Sequence, residues 1–237
     1  TVAPRDEYIR PGLGPQKVTA VTADGRFWAL AYWIDRTVPL HECRLYVSSD
    51  GARSWRLATK ARVLEGCDGS LVAGPDGTTL HLAWMGRQRT GVAYDWSIYH
   101  GRFDTASMQW VGQDTILWQA TGTGASQYEC FSNPDLAIDR KGEILVVAAR
   151  NSGWTSFFRV FDGQAWSAET QLHAATSMSV RAQVLVGPDD CFHFAYRSGS
   201  GSQYDSYYRR YDPAAKAFGA EGQILVTERL DLRGTLT

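Results

Sequence analysis

Short stretches in which apolar and polar residues alternate recur along the whole chain, and turns rich in Asp and Gly separate them. Leu80-His81-Leu82-Ala83 and Phe192-His193-Phe194-Ala195 are two examples. Alternation with a period of two places the apolar side chains on one face of a β-strand. No window keeps the 3.6-residue period of an amphipathic helix, so the pattern predicts an all-β chain and excludes a helical solenoid.

These strands belong to a unit that occurs four times. Each unit has a turn containing Asp or Gly, then an apolar strand, then an Arg. The apolar strands run over 28–31, 80–83, 144–147 and 192–195. Asp and Gly suit the turns because both tolerate a positive φ. The repetition therefore indicates a repeat architecture whose units pack against their neighbours.

Further along each unit, an aromatic strand ends in an Asp turn, and a large aromatic residue opens the next strand. The four Asp–aromatic pairs are Asp50 and Trp55, Asp104 and Trp110, Asp162 and Trp166, and Asp212 and Phe218. The pairs recur at intervals of about 50 to 60 residues. This interval holds four short strands, which is the content of one propeller blade.

The repeat predicts an all-β fold: one β-propeller domain over 1–237 with four recognisable four-stranded blades. The blades cover about 15–64, 65–120, 130–175 and 178–228. Residues 229–237 stand where a further inner strand would begin. That strand either closes a four-bladed ring or opens the next blade of a larger, five- or six-bladed propeller of which the chain is a fragment. The sequence leaves both alternatives open.

The segment 48–55, Ser-Ser-Asp-Gly-Ala-Arg-Ser-Trp, resembles the Asp-box, S-x-D-G-G-x-T-W, of sialidases and related BNR-repeat proteins. The resemblance implies a hairpin turn in which Asp50 accepts backbone hydrogen bonds and Trp55 packs between sheets, largely buried. In that family the turn lies on the face away from the ligand.

Upstream, Tyr8-Ile9-Arg10-Pro11 is similar to the F/Y-R-I-P motif of sialidases. The loop 37–42 contains no Asp to match the acid/base carboxylate of that family, and Glu42 is its only acidic residue. The resemblance therefore implies the propeller fold, whereas the sialidase reaction does not follow from it.

In a propeller, the loops between the second and third strands share a face with the loops that lead to the next blade, and this is the usual ligand face. In every unit an Arg stands at the start of the loop between the second and third strands: Arg36, Arg87, Arg150 and Arg197. The four guanidinium groups are predicted to form a ring suited to a carboxylate, sulfate or phosphate on a ligand. A structural alternative pairs each Arg with a neighbouring acid, with Glu42, Asp95 and Asp205 as examples.

The same loops are predicted to carry aromatic and acidic residues: Tyr94, Asp95, Trp96, Trp154, Tyr204 and Asp205. Trp and Tyr rings stack on the C–H face of sugars, and Asp accepts hydrogen bonds from hydroxyls. These residues are therefore candidate ligand-binding residues. Glycoside hydrolysis needs a pair of carboxylates across a cleft, and no such pair is identifiable, so catalytic residues stay unassigned.

Charge and motif content exclude several classes of function. The formal net charge of -1 offers no basic excess for nucleic acid, and no apolar stretch reaches the roughly 18–20 residues of a membrane helix. The four cysteines lack CxxC spacing and the five histidines lack H-E-x-x-H spacing, so neither a metal nor a cofactor is expected. His81 and His193 occupy equivalent strand positions, which favours packing.

The favoured interpretation is non-catalytic glycan recognition by a lectin-like or cell-surface-adhesion module, with glycans or glycoconjugates as partners. The alternatives are a sialidase-like glycoside hydrolase, or a fragment of one, and a structural propeller that binds proteins. A homo-oligomer is left open. The chain begins at Thr1 without Met, which we interpret as a processed or trimmed N-terminus, and an extracellular or surface-exposed location, secreted or on a virion, is expected.

Overall fold

A computed structural model describes residues 7–10, 17–35, 40–60, 65–90, 93–120, 131–150, 155–173, 178–200 and 203–225. These ranges form eighteen strands in four antiparallel sheets. They contain no helix, and hence none long and apolar enough to cross a membrane. The predicted all-β fold is confirmed.

The first sheet contains β1 (Glu7–Arg10), β2 (Thr19–Val21), β3 (Phe27–Asp35), β4 (Leu40–Ser48) and β5 (Arg56–Lys60). Both β1 and β2 pair with β3, so together they occupy the position of one inner strand. The second sheet contains β6 (Glu65–Ala73), β7 (Thr79–Thr90), β8 (Ala93–Asp104) and β9 (Gln109–Ala120), in that order across the sheet.

The third sheet contains β10 (Phe131–Ile138), β11 (Ile144–Arg150), β12 (Thr155–Phe161) and β13 (Thr170–Gln171), again in chain order. The fourth contains β14 (Met178–Val186), β15 (Phe192–Ser200), β16 (Gln203–Asp212), β17 (Ala217–Phe218) and β18 (Gly222–Leu225). Both β17 and β18 pair with β16, as the two parts of an outer strand.

The hydrophobic core lies in three layers between successive sheets. Trp28 and Leu45 of the first sheet pack against Leu80 and Phe103 of the second. Equivalent layers separate the second sheet from the third, and the third from the fourth. Each sheet therefore buries its apolar residues against its neighbours in the chain, as repeats of this kind must.

Strand β11 shows the consequence for sequence. It is buried along nearly its whole length because its sheet has a neighbour on each side. Leu145 and Val147 contribute to the layer shared with the fourth sheet, and Ile144 and Val146 to the layer shared with the second. Four sheets stacked in this way are the blades of a β-propeller, so the predicted fold class is confirmed.

A polar cluster joins the inner strands of the second, third and fourth sheets to the segment that precedes β2. Asp135 of β10 is only 1% exposed. Its carboxylate accepts hydrogen bonds from Lys17 Nζ, two residues before β2, at 2.8 Å, from Ser70 Oγ of the second sheet at 2.6 Å, and from the Val184 amide of the fourth at 2.9 Å. Lys17 Nζ also donates to the Val184 carbonyl. We call Asp135, Lys17, Ser70 and Val184 the axial cluster.

The four Asp residues of the repeat all lie in turns between the third and fourth strands. In each turn the Asp Oδ1 accepts one or two backbone amides: those of Arg53 and Ser54 for Asp50, Ser107 for Asp104, Gln164 and Ala165 for Asp162, and Ala214 and Ala215 for Asp212. The predicted placement and capping role are confirmed.

These turns share one end of the propeller with the turns between the first and second strands. The Thr105 amide donates to the Thr78 carbonyl at 3.0 Å within the second sheet, and Arg26 Nη2 of the first sheet donates to the Thr105 carbonyl at 2.8 Å. We call this end the Asp rim.

The predicted burial of Trp55 is wrong, because its side chain is 41% exposed. Its three counterparts each contact the preceding sheet. Trp110 Nε1 donates to Thr59 Oγ1 at 3.2 Å, the Trp166 ring lies 5.2 Å from that of His100, and the Phe218 ring lies 5.5 Å from that of Phe158. Trp55 belongs to the first sheet, and none of the described strands forms a sheet before it.

Candidate ligand-binding site

The inner strands are interrupted on the side away from the Asp rim. Cys67 pairs with Met85 and Gly69 with Trp84, so Asp68 is an extra residue in β6. Strand β10 has a similar bulge between Ser132 and Asp135, and β14 has one between Val180 and Gln183. In the first sheet the break falls between β1 and β2. In all four sheets the regular pairing of the inner strand is therefore interrupted at a similar level.

Two of the bulges force a polar residue into the left-handed region. Asp68 has a φ of 52° and Asn133 a φ of 51°. Non-glycine residues seldom adopt these angles, and bulges and strained residues concentrate beside functional sites, where they redirect a side chain. We call the bulges of β6, β10 and β14 the bulge ring, and the bulge ring is the candidate site.

The Asp68 bulge is held tightly against the first sheet. Asp68 is 8% exposed. A Cβ on Gly69 would lie 2.7 Å from Leu30 Cδ2 and 3.1 Å from the Ala83 carbonyl oxygen, so a larger residue would require Leu30 and the neighbouring strand to shift. Burial, with a smaller contribution from the negative charge of Asp68, raises the pKa of the Cys43 thiol to about 12. Cys43 is a free, buried thiol and stays protonated.

Sequence reasoning missed the bulge ring, although the sequence carries a signal for it. Asp68-Gly69 and Asn133-Pro134 stand inside the stretches that form the inner strands β6 and β10. Asp-Gly and Asn-Pro pairs mark turns, and inside a strand pattern they mark a bulge.

The four predicted arginines are not equivalent. Arg36 lies outside the described residues. Arg87 pairs through its backbone with Glu65 and Trp96 in the second sheet. Arg197 directly flanks the bulge of its sheet, whereas Arg150 stands one position further from the bulge of its own. Because side chains alternate along a strand, Arg150 and Arg197 lie on opposite faces of their sheets.

Arg150 is engaged between the second and third sheets. One guanidinium nitrogen lies 3.2 Å from both carboxylate oxygens of Glu169, and the guanidinium stands 4.6 Å from the Phe157 ring centroid. Trp118 Nε1 of β9 donates to the same carboxylate at 3.0 Å. Arg150 therefore has an acidic partner, as the structural alternative expected, and this partner is Glu169, which that alternative did not name.

The predicted placement of the aromatic residues in loops is wrong. Strand β7 continues to Thr90 and β8 begins at Ala93, so Tyr94, Asp95 and Trp96 lie within β8. The hairpin is regular because aromatic residues favour strands and pair well across them.

The fourth sheet is built in the same way, since Tyr204 and Asp205 lie within β16. Trp96 is half-buried and packs against the core layer between the second and third sheets, and Asp205 is half-buried. Trp154 lies outside the described residues. The ligand-binding role of these residues stays a prediction.

Two other carboxylates form ion pairs with lysine or arginine side chains. Asp135 is ion-paired with Lys17 in the axial cluster, and Glu42 lies 2.9 Å from Arg44 and 3.0 Å from Lys60. Among the residues that the structure describes, no group of three His, Cys, Asp or Glu residues is placed to hold a metal ion. The bulge ring therefore places two polar residues, the buried Asp68 and the half-buried Asn133, on the inner strands β6 and β10.

No family model and no curated protein matches the chain. Solved structures do resemble it. An α-L-arabinanase of Penicillium chrysogenum, complexed with arabinobiose, superposes with a TM-score of 0.63 at 18% identity over 95% of this chain and 68% of its own. The GH93 α-L-arabinofuranosidase of Fusarium graminearum, also with arabinobiose, has a TM-score of 0.64 at 15% identity over 93% and 70%.

An ulvan lyase of polysaccharide lyase family PL25, bound to a unit of glucuronic acid and rhamnose 3-sulfate, has a TM-score of 0.63 at 9% identity. It is covered over 55% of its length and matches 87% of this chain. The chain thus spans between half and about two thirds of these structures. At such identities the likeness shows the fold, the β-propeller that the sheet arrangement also gives.

Proposed function

We propose that this propeller binds glycans at the bulge ring. The observation that carries the proposal is the interruption of the inner strands at one level, with Asp68 and Asn133 held at left-handed φ angles. The strain is stored where several blades converge, away from the Asp rim. Rigid hydrogen-bonding groups of this kind suit the hydroxyl groups of a sugar.

The structural neighbours support the class of ligand. Two of them are complexed with arabinobiose and one with an anionic polysaccharide unit. The Asp50 turn, with its capped amides, supports the resemblance to the Asp-box seen in the sequence. An extracellular or surface-exposed location goes with a glycan ligand, and we carry it as part of the proposal.

The test is binding to a glycan array, followed by calorimetry with arabino-oligosaccharides and sialosides. Asn133→Ala and Asp68→Asn are expected to weaken binding about tenfold. Each loses a hydrogen bond to the ligand or the backbone conformation that orients the hydrogen-bonding side chain. Asn133→Gly keeps the left-handed backbone and removes the side chain, so it separates the contact from the strain.

Lys216→Ala is the matched control, since Lys216 also has a left-handed φ, 51°, but lies in the Asp212 turn on the Asp rim. It is expected to leave affinity unchanged. Equal losses in Asn133→Ala and Lys216→Ala would show a general effect of strain and reject the site. Absence of binding across the array would reject glycan recognition.

A glycan-active enzyme is the second candidate, favoured by the arabinan-active and polysaccharide-cleaving neighbours together with the buried carboxyl of Asp68. Product release from arabinan, ulvan and a fluorogenic sialoside tests it. Binding without product release, in a protein whose bulge-ring variants bind more weakly, supports the lectin over the enzyme.

A further inference from the structure

The turns that join the first and second strands of the four sheets share one backbone hydrogen bond. In each turn the amide of the first residue donates to the carbonyl of the residue that closes the turn: Thr22 to Arg26, Gly74 to Thr79, Asp139 to Glu143, and Gly187 to Cys191. This hydrogen bond aligns the four turns, so their side chains can be compared position by position.

In three of these turns an Asp uses both of its carboxylate oxygens. Its Oδ1 accepts one or two backbone amides of the turn. Its Oδ2 accepts a side-chain donor: Arg26 Nε at 2.5 Å for Asp24, Thr79 Oγ1 at 2.6 Å for Asp76, and Arg210 Nε at 2.7 Å for Asp189. In the first two sheets this donor belongs to the residue that closes the turn.

The turn of the third sheet departs from this arrangement. Asp139 stands at its first position and is only 1% exposed. Its Oδ1 accepts the amides of Lys141 and Glu143 at 2.9 and 2.8 Å, so it caps the turn as the other Asp residues do. Its Oδ2 is buried, and no amide, hydroxyl, Lys or Arg group of the described residues donates to it. A buried carboxylate oxygen without a donor is costly.

The position that supplies the donor in the first two sheets is occupied by Glu143 in the third. The Glu143 carboxyl lies within hydrogen-bonding reach of Asp139. Leu145 stands where the first sheet has Trp28, whose Nε1 donates to its own turn, and Leu has no donor to offer. Two adjoining carboxyl groups resist being ionised together, and one of them keeps its proton.

We propose that Glu143 is that group: it binds a proton and donates it to Asp139 Oδ2, in the role that Arg26 and Thr79 have in their turns. The buried Oδ2 leaves no room for a hydrated cation, so the ligand of this site is the proton itself.

The surrounding charges favour the same state. Burial, the hydrogen bond with Asp139 and the negative charge of Asp139 raise the pKa of Glu143. The charge of Asp162, in the neighbouring Asp turn, acts in the same direction, and Lys141 opposes it. Lys216 of the fourth sheet helps to hold the pKa of Asp162 low, so Asp162 stays charged.

The proton pair lies where the third sheet meets the fourth. Arg140 of the same turn lies 3.4 Å from Asp190 Oδ1 and from the Pro188 carbonyl oxygen. Tyr211 of the fourth sheet is close enough for the charge of Glu143 to add to burial in raising the Tyr211 pKa. Because the folded pKa of Glu143 is raised, its contribution to stability is complete in acid and is lost as the pH rises through that value. This junction is therefore sensitive to pH.

Carbon-13 NMR of the glutamate carboxyls in the 1–237 chain tests the proposal. The resonance missing from Glu143→Gln identifies Glu143, and it is expected to titrate clearly above about 4.3, the ordinary value of glutamate. In Asp139→Asn the amide can donate to the Glu143 carboxylate, so the titration should move to lower pH. Titration at or below about 4.3 in the unaltered chain overturns the proposal, and so does an unchanged titration in Asp139→Asn.

Thermal melts provide a second readout. Glu143→Gln keeps a donor and cannot ionise, so it is expected to match the unaltered chain at pH 4 and to raise the thermal midpoint by a few degrees at pH 8. Glu169→Gln is the matched control, because Arg150 and Trp118 already donate to that carboxylate. It should lower the midpoint at pH 8. A midpoint that also falls in Glu143→Gln at pH 8 overturns the proposal.

Discussion

Asp50 illustrates how one carboxylate organises a turn. Its Oδ1 accepts the amides of Arg53 and Ser54 at 3.0 and 2.9 Å, and its Oδ2 accepts the Ser54 hydroxyl at 2.5 Å. The hydroxyls of Ser54 and Ser48 and these amides hold the pKa of Asp50 well below its ordinary value. The charged form is therefore the one that the folded turn requires.

Removing this acceptor is expected to lower stability without affecting ligand binding. Asp50→Ala should reduce the thermal midpoint by a few degrees, because two amides lose their partner, and Asp50→Asn should restore part of the loss. Since the folded pKa is depressed, the contribution of Asp50 is present above about pH 4 and fades as the pH falls below that. Thermal melts at pH 7 and pH 3 measure both effects. Lost affinity at unchanged stability would contradict the assignment.

A second prediction at the residue scale concerns the buried histidine pair. Burial is the main cause that lowers the pKa of His81 to about 4 and of His100 to about 3, aided by Arg102 and, for His100, by His81. Both rings are neutral in the folded state, whereas in the unfolded chain they protonate near pH 6.5. Stability is therefore fully present above about pH 6.5 and declines as the pH falls toward 4.

His100→Tyr tests this, because the fourth sheet places Tyr208 at the equivalent position. The substitution should flatten the decline in the free energy of unfolding between pH 6.5 and 4, measured by urea titration. A variant whose pH dependence equals that of the unaltered protein would show that His100 does not titrate on unfolding.

At the scale of elements, the inner strands combine two features, the bulges and the axial cluster. On the side away from the Asp rim they are interrupted by the bulge ring, and nearer the Asp rim they are tied together by the axial cluster. A bulge would loosen a sheet by removing ladder hydrogen bonds. Asp135, two residues beyond Asn133, restores cohesion by linking its own strand to β6, to β14 and to Lys17, which precedes β2. The strained and the stabilising features thus adjoin in sequence.

Asp135→Ala is accordingly expected to destabilise the protein by about 3–5 kcal/mol, since it removes the buried carboxylate to which Lys17, Ser70 and the Val184 amide donate. Asp24→Ala is the control: Asp24 also forms an ion pair, with Arg26, but nearly half of its side chain is exposed. Its loss should be far smaller. Urea titration of both variants at pH 7 provides the comparison. Similar losses would mean that the axial cluster is not a major source of cohesion.

At the scale of the whole molecule, periodicity and turn chemistry predicted the blades and the four Asp turns, because both are written in residues close together in sequence. What failed depends on neighbours distant in the chain. Trp55 is exposed because none of the described sheets precedes the first sheet and packs on it. Three further features depend on strand register: the bulge ring, the length of the β7–β8 hairpin, and the opposite faces of Arg150 and Arg197. A register shift of one residue moves a side chain to the other face of its sheet.

The axial cluster also bears on how the molecule assembles in time. Asp135 is separated along the chain from Lys17 by 118 residues, from Ser70 by 65 and from Val184 by 49. Closing loops of such length costs conformational entropy, so we expect the cluster to form late in folding, once the sheets have docked. Interactions absent from the transition state slow unfolding and leave the folding rate alone. Loss of Asp135 is then expected to speed unfolding, which shortens the lifetime of the folded propeller, and to leave the folding rate unchanged.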